Sequence, residues 1–300
     1  MIDSTTDELH TVRDWLRWAV SRFNEAGLCY GHGTENAWDE AVWLVLATLH
    51  LPRDTLEPWL DAHLTKPERL ALLGNLQQRV VHRLPTAYLV QEAWLGEFRF
   101  YVDQRVIVPR SYFAELLETG FAPWIQDPEA VESALDLCTG SGCLAILMAN
   151  AFPNAAVDAI DISADALVVA SRNIADYHLE DRVKPVESDL FAAVPGKRYD
   201  LIVCNPPYVT ADAMAALPPE YRHEPSLALA AGPDGLDVVR RILGAARAHL
   251  NPGGVIAIEV GHNPDLVSAA FPDLPVVWLE TEHAEGKVFL LTREDLPVAP

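Results

Sequence analysis

The sequence has few cysteines, little positive charge and no long apolar segment. Its four cysteines form neither a C-x-x-C pair nor a zinc-finger spacing, so we expect no disulfide framework and a reducing cytoplasm as the environment. The acidic first ten residues do not resemble a secretory signal. In the first half, the longest strongly apolar run is Ala41–Ala47, far short of the roughly 20 residues that span a bilayer. We therefore expect a soluble, intracellular protein with no membrane contact.

Basic residues are scarce: 22 Lys and Arg stand against 43 Asp and Glu, which gives a net charge of −21. Phosphate contacts supply most nonspecific affinity for nucleic acids, and so acidic a chain cannot supply them broadly; we predict no direct sequence-specific nucleic-acid binding. A basic macromolecular partner suits this charge better, because opposite fields speed encounter. On charge alone, acidity that only keeps the protein soluble is the favoured explanation. The ten histidines show no H-x-x-x-H spacing, and we predict no metal site.

A length of 300 residues is typical of about two domains, and the first, over residues 1–88, is predicted to be a helical bundle. Apolar residues recur at helical spacing from Leu9 to Phe23, and Gly27 follows as a stop. A second, buried helix is predicted over Ala37–Leu49, and a third after the capping-box sequence that begins at Thr65. Leu70, Leu73, Leu76 and Val80 are expected to form the core face of this third helix. We interpret this domain as one that binds or positions a substrate.

Residues 89–110 are predicted to connect the two domains. Phe98, Phe100 and Val102 alternate with polar residues, and the run Val106–Val108 follows shortly afterwards. This pattern is typical of a β-hairpin that ends at Pro109.

Residues 111–300 are predicted to form an α/β domain. The predicted strands cover residues 134–138, 155–161, 182–187, 199–204, 253–260, 275–280 and 286–292. Helices are predicted between them near residues 142–151, 163–177, 234–249 and 263–270. This alternation favours a mostly parallel sheet covered on both faces. Ligands of such sheets bind beyond the carboxyl ends of the strands, and we therefore look for the functional residues there.

The first of these strand ends is rich in glycine. Its candidate ligand-binding residues are Asp136, Cys138, Thr139, Gly140, Ser141 and Gly142. The two glycines allow a close approach between backbone and ligand, and they lead directly into a helix. The sequence is not G-x-G-x-x-G and lacks the lysine of a phosphate-binding loop, so a ligand carrying a pyrophosphate or triphosphate is disfavoured.

An aspartate lies at or just after the end of each of the next two predicted strands. Asp161 is suited to accept hydrogen bonds from ribose hydroxyls, and Asp189 from an adenine amino group, with Leu190 packed on the adenine ring. Each aspartate alone is more often a helix cap or a turn residue. Three such signals at successive strand ends nevertheless favour a nucleoside without phosphates.

The fourth strand runs into Asn205-Pro206-Pro207-Tyr208, the most specific signal in the chain. The prolines stiffen the backbone, and the carbonyl of Pro206 has no following N–H beside it because residue 207 is also proline. The Asn205 side chain adds a second oxygen acceptor. Together they suit a planar NH₂ group, on whose plane Tyr208 could stack. The simpler interpretation is a proline-stiffened turn.

These motifs resemble those of the S-adenosylmethionine-dependent methyltransferases that modify planar nitrogens. The sequence Val106-Ile107-Val108-Pro109-Arg110 and the later Asn-Pro-Pro-Tyr resemble the protein-glutamine methyltransferases in particular. The resemblance implies a class I, Rossmann-like fold: a mostly parallel seven-stranded sheet, an N-terminal helical bundle and a hairpin connector. It also implies S-adenosylmethionine as the methyl donor, with S-adenosylhomocysteine as product, and a catalytic turn comprising Asn205, Pro206, Pro207 and Tyr208.

Two branches of this family are possible, one acting on peptide-release factors and one on large-subunit ribosomal protein three. Release-factor enzymes usually continue Pro-Arg with Pro-Asp-Thr-Glu, whereas this chain has Ser111-Tyr112-Phe113-Ala114-Glu115. The Tyr112-Phe113 pair departs from the Pro-Ile usual in the ribosomal-protein branch. The segment from Tyr30 to Glu40 resembles that branch, with Thr34 or Asn36 as a helix cap. The resemblance thus favours methylation of a glutamine in this basic ribosomal protein.

Three alternatives remain open from the sequence: a release-factor methyltransferase, an adenine-amino methyltransferase, and a ribosome-assembly factor that scarcely catalyses. Base extrusion needs a basic groove, which the net charge disfavours. No residue is required as a general base. His223 and Glu224 could line a substrate channel or serve in structural contacts, and Glu259 could be structural.

Overall fold

The computed structural model describes residues 6–281 and 285–297. The chain divides into two compact units, a helical unit and an α/β unit. The helical unit comprises Met1–Ala93 and Pro218–His223, and the α/β unit comprises Trp94–Leu217 and Glu224–Pro300. The helical unit therefore includes a short segment from much later in the chain, beyond the continuous domain predicted over residues 1–88.

The helices of the helical unit agree with three of the predicted boundary signals: the stop at Gly27 and the caps at Asn36 and Thr65. They are α1 (Val12–Ala26), α2 (Ala37–Thr48), α3 (Lys66–His82) and α4 (Thr86–Val90). The Asn36 side chain accepts from the Asp39 N–H at 3.0 Å, and Glu68 accepts from the Thr65 N–H at 2.7 Å. Such caps satisfy backbone N–H groups that the first helical turn leaves free.

The core of the helical unit is formed by buried apolar side chains, including Trp15, Phe23, Leu44 and Leu76. The predicted core face of α3 is partly wrong. Leu70 is 50 % exposed, whereas Leu72 is fully buried. Two positions along a helix differ by about 200° in direction, so the two leucines point to opposite sides, and packing against the neighbouring helices selects Leu72.

The late segment of the helical unit is held by a buried carboxylate. Glu220 is 1 % exposed, and its Oε1 accepts from the Cys29 N–H at 3.1 Å. The same oxygen accepts from Arg83 Nη1 at 3.2 Å and from Arg79 Nη1 at 3.4 Å. His223 also belongs to this unit, and its Nε2 lies 2.7 Å from the carbonyl oxygen of His82. For His223 the structure thus describes a structural contact.

A short two-stranded sheet, β1 (Ala93–Leu95) with β2 (Phe98–Phe100), opens the region predicted as the connector. The predicted second half of the hairpin is wrong, because residues 106–108 are not a strand. The Val108 N–H donates to Glu224 Oε1 at 3.1 Å instead of to a neighbouring strand. The Arg105 N–H donates to Asp103 Oδ1 at 3.0 Å, which forms a tight turn at this point. Side chains therefore take the hydrogen bonds that strand pairing would need.

The described part of the α/β unit contains a seven-stranded sheet in the order β5-β4-β3-β6-β7-β9-β8. These strands are β3 (Ser133–Leu137), β4 (Ala156–Asp161), β5 (Val183–Glu187), β6 (Tyr199–Cys204), β7 (Leu250–Glu259), β8 (Val277–Glu280) and β9 (Glu285–Thr292). β3 to β7 pair in parallel, and β9 is antiparallel to both β7 and β8. The predicted α/β class and mostly parallel sheet are confirmed.

Helices connect these strands and cover the sheet. They are α5 (Phe113–Glu118), α6 (Cys143–Ala151), α7 (Ala164–Asp176), α8 (Ala211–Ala216), α9 (Asp237–Ala246) and α10 (Pro264–Ala270). Single turns of 3₁₀ helix occupy Glu57–Trp59, Pro128–Ala130, Pro219–His223, Ser226–Ala228 and Arg247–His249. Among the described residues, none of these helices combines the length and apolarity needed to cross a membrane.

The strand register brings the predicted functional segments to one edge of the sheet. Leu137 pairs with Cys204, and Cys204 pairs with Ile258. On the other side of β3, Asp161 ends β4 opposite Glu187 at the end of β5. Because these strands are parallel and in register, the segments that follow them all emerge at the carboxyl edge.

Candidate active site

A pocket opens at the carboxyl edge of the sheet, within the α/β unit. Its lining includes seven of the residues singled out from the sequence: Cys138, Gly140, Asp161, Asp189, Leu190, Asn205 and Pro207. The remaining candidates, which are Asp136, Thr139, Ser141, Gly142, Pro206 and Tyr208, are not among its lining residues. The pocket therefore joins the ends of four strands that are far apart in sequence.

Asp136 lies behind the glycine-rich turn and shapes it. Its Oδ2 accepts from Thr139 Oγ1 at 2.5 Å and from the Ala145 N–H at 3.0 Å, which ties the turn to the start of α6. The carboxyl group is completely buried, and burial raises its pKa to about 7. Asp136 thus holds the turn from within the protein rather than facing the pocket.

The glycine-rich turn requires left-handed backbone. Gly142 has a φ of +80°, and a Cβ there would lie 3.1 Å from Cβ of Ala170 on α7. Gly140 has a φ of +55° and lines the pocket, and a Cβ at this position would meet no atom within 4 Å. Gly140 therefore exposes backbone to open space, as a turn that cradles a ligand must.

Asp161 faces the pocket and also orders the turn beside it. Its Oδ2 accepts from the Gly140 N–H at 2.9 Å, and its Oδ1 accepts from the Ser163 N–H at 2.9 Å. Burial raises the pKa of the carboxyl group above its ordinary value. Each carboxylate oxygen has two lone pairs, so both keep capacity to accept from a diol.

Asp189 lines the pocket together with a cation that the sequence analysis missed. Arg241 on α9 donates from Nη2 to Asp189 Oδ2 at 2.7 Å. Both side chains are about half exposed. The other Asp189 oxygen is available to a ligand, and the neighbouring Leu190 is buried with a left-handed φ of +52°. The sequence did not indicate Arg241 as a site residue, because its position is typical of the polar face of an ordinary helix.

The Asn-Pro-Pro-Tyr turn follows β6 directly. Asn205 Nδ2 donates to the carbonyl oxygen of Arg110 at 3.4 Å, which directs the amide oxygen Oδ1 the other way. Pro206 is buried, and Pro207 is half-buried in the pocket wall. The Tyr208 hydroxyl donates to Glu259 Oε1 at 3.4 Å. The turn is therefore held at both of its ends.

Glu224 forms a bidentate ion pair with Arg110, so its carboxylate makes a structural contact rather than lining a channel. Arg110 donates from Nη1 to Oε1 at 2.7 Å and from Nη2 to Oε2 at 2.6 Å. Glu224 is 5 % exposed and also receives the Val108 N–H. Such bidentate pairs fix geometry as well as charge. Glu224 thereby anchors the segment whose Arg110 carbonyl holds Asn205.

Much of the apolar pocket wall was not predicted from the sequence to belong to the site. These residues are Val106, Ile107, Ile160, Ile162, Ala166, Pro225, Leu227, Ala228 and Val238. Ile162 is 50 % exposed and Leu227 is 57 % exposed, both unusual for large apolar side chains. Ile162 follows the strand-end carboxylate Asp161, a placement that could have drawn attention to it. Leu227 lies in a 3₁₀ turn for which no comparable signal exists.

The residues present fit a nucleoside linked to an apolar or sulfur-containing chain. Carboxylates at two strand ends offer acceptors, Gly140 offers open backbone, and the remaining wall is largely apolar. In the described ranges, no group of three or more His, Cys, Asp or Glu side chains is arranged to hold a metal ion.

The parallel sheet with a reversed β9, the glycine-rich first turn and the pocket at its carboxyl edge define a class I methyltransferase, which uses S-adenosylmethionine. The family described as "Methyltransferase small domain" matches residues 121–217. Two relatives are named ribosomal protein uL3 glutamine methyltransferase. The one from Bordetella pertussis is 58 % identical over 99 % of both chains, and that from Neisseria gonorrhoeae is 57 % identical over the same shares. The chain belongs to the family of ribosomal protein uL3 glutamine methyltransferases.

Among solved structures, the ribosomal protein L11 methylase from Lactobacillus delbrueckii subsp. bulgaricus shares 21 % identity with this chain. The match covers 59 % of this chain and 75 % of that one, with a TM-score of 0.40.

Proposed function

We propose that this protein transfers a methyl group from S-adenosylmethionine to the side-chain amide nitrogen of a glutamine in ribosomal protein uL3. The observation that carries the proposal is that Asn205 and Pro207 line the same pocket as Asp161 and Asp189. The amide-binding turn and the nucleoside-binding carboxylates thus share one space. Full-length similarity to enzymes named for this reaction supports uL3 as the substrate. A ribosomal-protein substrate also makes the cytoplasm the proposed location.

The methyl donor would be held by the first three strand ends. Asp161 would accept from the ribose hydroxyls, and Asp189 with Leu190 would bind the adenine. Cys138, Thr139, Gly140, Ser141 and Gly142, with Asp136 behind them, form the turn that would cradle the donor, and Asn205 would border its methionine end. S-adenosylmethionine supplies a methyl group on a positively charged sulfur, and its transfer leaves S-adenosylhomocysteine.

The chain's own contribution is to make a poor nucleophile reactive. The lone pair of a carboxamide nitrogen is delocalised into the carbonyl group, so the nitrogen must be aligned with the methyl group and made electron-rich. Asn205 Oδ1 and the Pro206 carbonyl accept from the amide N–H bonds, and these hydrogen bonds strengthen as the nitrogen gains positive charge. The new N–C bond replaces the methyl–sulfur bond of the donor, and the nitrogen releases one proton to water. Positioning of this kind supplies roughly 7–11 kcal/mol in favourable cases.

The proposal is tested with Asn205→Ala. We expect the single-turnover rate of uL3 methylation to fall about 10²–10³-fold, as when one preorganised transition-state hydrogen bond is removed. Mass spectrometry of uL3 detects the product, and donor affinity is measured on the same variant. Asn154→Ala is the matched control, because this exposed asparagine instead donates to the Glu129 carbonyl. A normal chemical rate in Asn205→Ala contradicts the proposed role.

The same assay separates the competing functions. Methylation of a peptide-release factor in place of uL3 would indicate the other branch of the family. Donor binding and uL3 binding without turnover would indicate an assembly factor instead.

We further propose that the helical unit recognises the substrate. The supporting observation is that this unit has its own core, which would let it present a stable surface independent of the donor pocket. Exchanging residues 1–93 together with 218–223 for the matching parts of a release-factor enzyme should redirect or abolish activity on uL3. Retained selectivity for uL3 in this chimera would assign recognition to the α/β unit.

A further inference from the structure

A single buried carboxylate lies beneath the Asn-Pro-Pro-Tyr turn. Glu259 ends β7 and is 1 % exposed. Its Oε2 accepts from Ser111 Oγ at 2.6 Å and from the Tyr112 N–H at 3.1 Å. Its Oε1 accepts from the Tyr208 hydroxyl at 3.4 Å. Ser111 and Tyr112 on one segment, and Tyr208 nearly a hundred residues later, therefore all contact the side chain of Glu259.

The environment of Tyr208 restrains its ring and its backbone. A Cβ on Gly261 would lie 2.7 Å from Tyr208 Cε2, so the ring packs where only glycine leaves room. The Tyr208 carbonyl accepts from Asn263 Nδ2 at 2.8 Å. A Cβ on Gly235 would lie 2.5 Å from the same carbonyl oxygen. Glu259 adds a third contact to these two restraints, at the hydroxyl end of the Tyr208 ring.

The electrostatics commit the phenol proton to Glu259. Burial raises the pKa of Tyr208 above its ordinary value, and the negative charge of Glu259 adds to this effect. Burial also raises the pKa of Glu259 to about 7, against the lowering effects of Ser111, the Tyr112 N–H, Tyr208 and Arg110. Tyr208 therefore remains a neutral phenol, and its one proton is donated to Glu259 in the structure.

We propose that Glu259 is a positioning residue of the methyl transfer, acting through Tyr208. It fixes the ring on whose face the substrate carboxamide lies, and so the angle at which that carboxamide meets the Asn205 and Pro206 acceptors. This role rests on the proposed function, which brings a glutamine amide to the turn. Glu259 itself touches neither the substrate nor the methyl donor.

The test is a double-mutant cycle of Glu259→Gln and Tyr208→Phe. Glutamine can keep its oxygen towards Ser111 and Tyr112, while its NH₂ group faces Tyr208 and cannot accept the phenol proton. We expect each single variant to lower kcat on uL3 about tenfold, the scale of one hydrogen bond to a charged group. KM for uL3 and Kd for S-adenosylmethionine should change by less than about twofold. Glu280→Gln, an exposed strand-end glutamate, is the matched control and should leave kcat unchanged.

The double variant decides whether the two residues act together. Both substitutions remove the same hydrogen bond, so the double variant should lose at most about twofold more than either single variant. Independent effects would instead multiply to about a hundredfold loss and would overturn the proposal. A loss in Glu259→Gln that falls on donor affinity alone would overturn it as well.

A second variant tests the ring position without touching the carboxylate. Gly261 has a φ of +55°, which strains alanine, and the added methyl group would press on the Tyr208 ring at 2.7 Å from Cε2. We therefore expect kcat to fall while donor affinity is kept. An unchanged kcat in a folded Gly261→Ala protein, checked by its thermal melt, would overturn the proposal. Wild-type protein that does not methylate uL3 would contradict the proposed function and this role with it. If the wild-type protein methylates uL3 but the losses of kcat in Glu259→Gln and Tyr208→Phe multiply in the double variant, only the positioning role is contradicted.

Discussion

Replacing Arg79 with methionine should strongly destabilise the helical unit, because the substitution removes the central cation of a buried network of ion pairs. Arg79 is 1 % exposed. Its Nε donates to Glu40 Oε1 at 2.5 Å, its Nη2 to the Cys29 carbonyl at 2.9 Å, and its Nη1 to Glu220 at 3.4 Å. Glu40 also accepts from Thr86 Oγ1 at 2.7 Å. Methionine keeps much of the side-chain volume but none of these donors.

The size of this destabilisation follows from the contacts that remain to Glu40 and Glu220 after the substitution. Glu40 would lose its cation while it stays 4 % exposed, and Glu220 would keep Arg83 as its cation together with the Cys29 N–H. Removing one partner of a buried ion pair typically costs about 3–5 kcal/mol. We therefore expect Arg79→Met to lower the free energy of unfolding of the helical unit by about 4 kcal/mol.

Urea unfolding, followed by tryptophan fluorescence and far-ultraviolet circular dichroism, measures this loss. Arg13→Ala is the control, because Arg13 pairs with Asp61 at an exposed site, and its midpoint should barely move. Adding Glu40→Gln to Arg79→Met should recover part of the loss, since it removes the stranded charge. A loss below about 1 kcal/mol in Arg79→Met would refute the reasoning, because it would mean that these carboxylates are solvated or paired in some other way.

Two further predictions concern aspartates at the strand ends. Asp161→Ala should weaken S-adenosylmethionine binding about tenfold or more, since a hydrogen bond to a charged group contributes about 1.5–3 kcal/mol. Calorimetric titration measures this, with exposed Asp165→Ala as control, and an unchanged Kd would remove Asp161 from the donor site. In the folded protein the pKa of Asp136 is about 7, above its ordinary 3.8. At pH values between the two, folding takes up a proton, so the contribution of Asp136 to stability falls as pH rises from about 4 to 7. Relative to wild type, Asp136→Asn should therefore gain stability across this interval in urea titrations, and a constant difference would contradict the shift.

The alternation of strands and helices was predictable because both periodicities are local. Each predicted strand of the sheet overlaps an observed one, and buried parallel strands read as nearly continuous apolar runs. The run Val106–Val108 reads in the same way, yet it forms no strand. The acceptor for the Val108 N–H is the side chain of Glu224, which lies 116 positions along the chain. No local pattern can indicate a partner at that distance.

The strand-end candidates could be predicted for a different reason. Parallel strands in register must release their following segments at one edge, so Gly140, Asp161 and Asn205 reach the same pocket. Arg241 and Leu227 also line it, but each follows from how a helix or turn packs over the edge rather than from strand order. Tyr208 was expected to stack on the plane of an NH₂ group, and its contact with Glu259 became visible only in three dimensions.

The inclusion of Pro218–His223 in the helical unit makes that unit discontinuous in the gene. A protein truncated after Ala93 would keep α1 to α4 but would lack Glu220, so Arg79 and Arg83 would lose an acceptor. A protease that cuts once near residue 93 would likewise leave both products attached through the later segment. Any evolutionary exchange of this unit as a whole must therefore move two separate stretches of coding sequence.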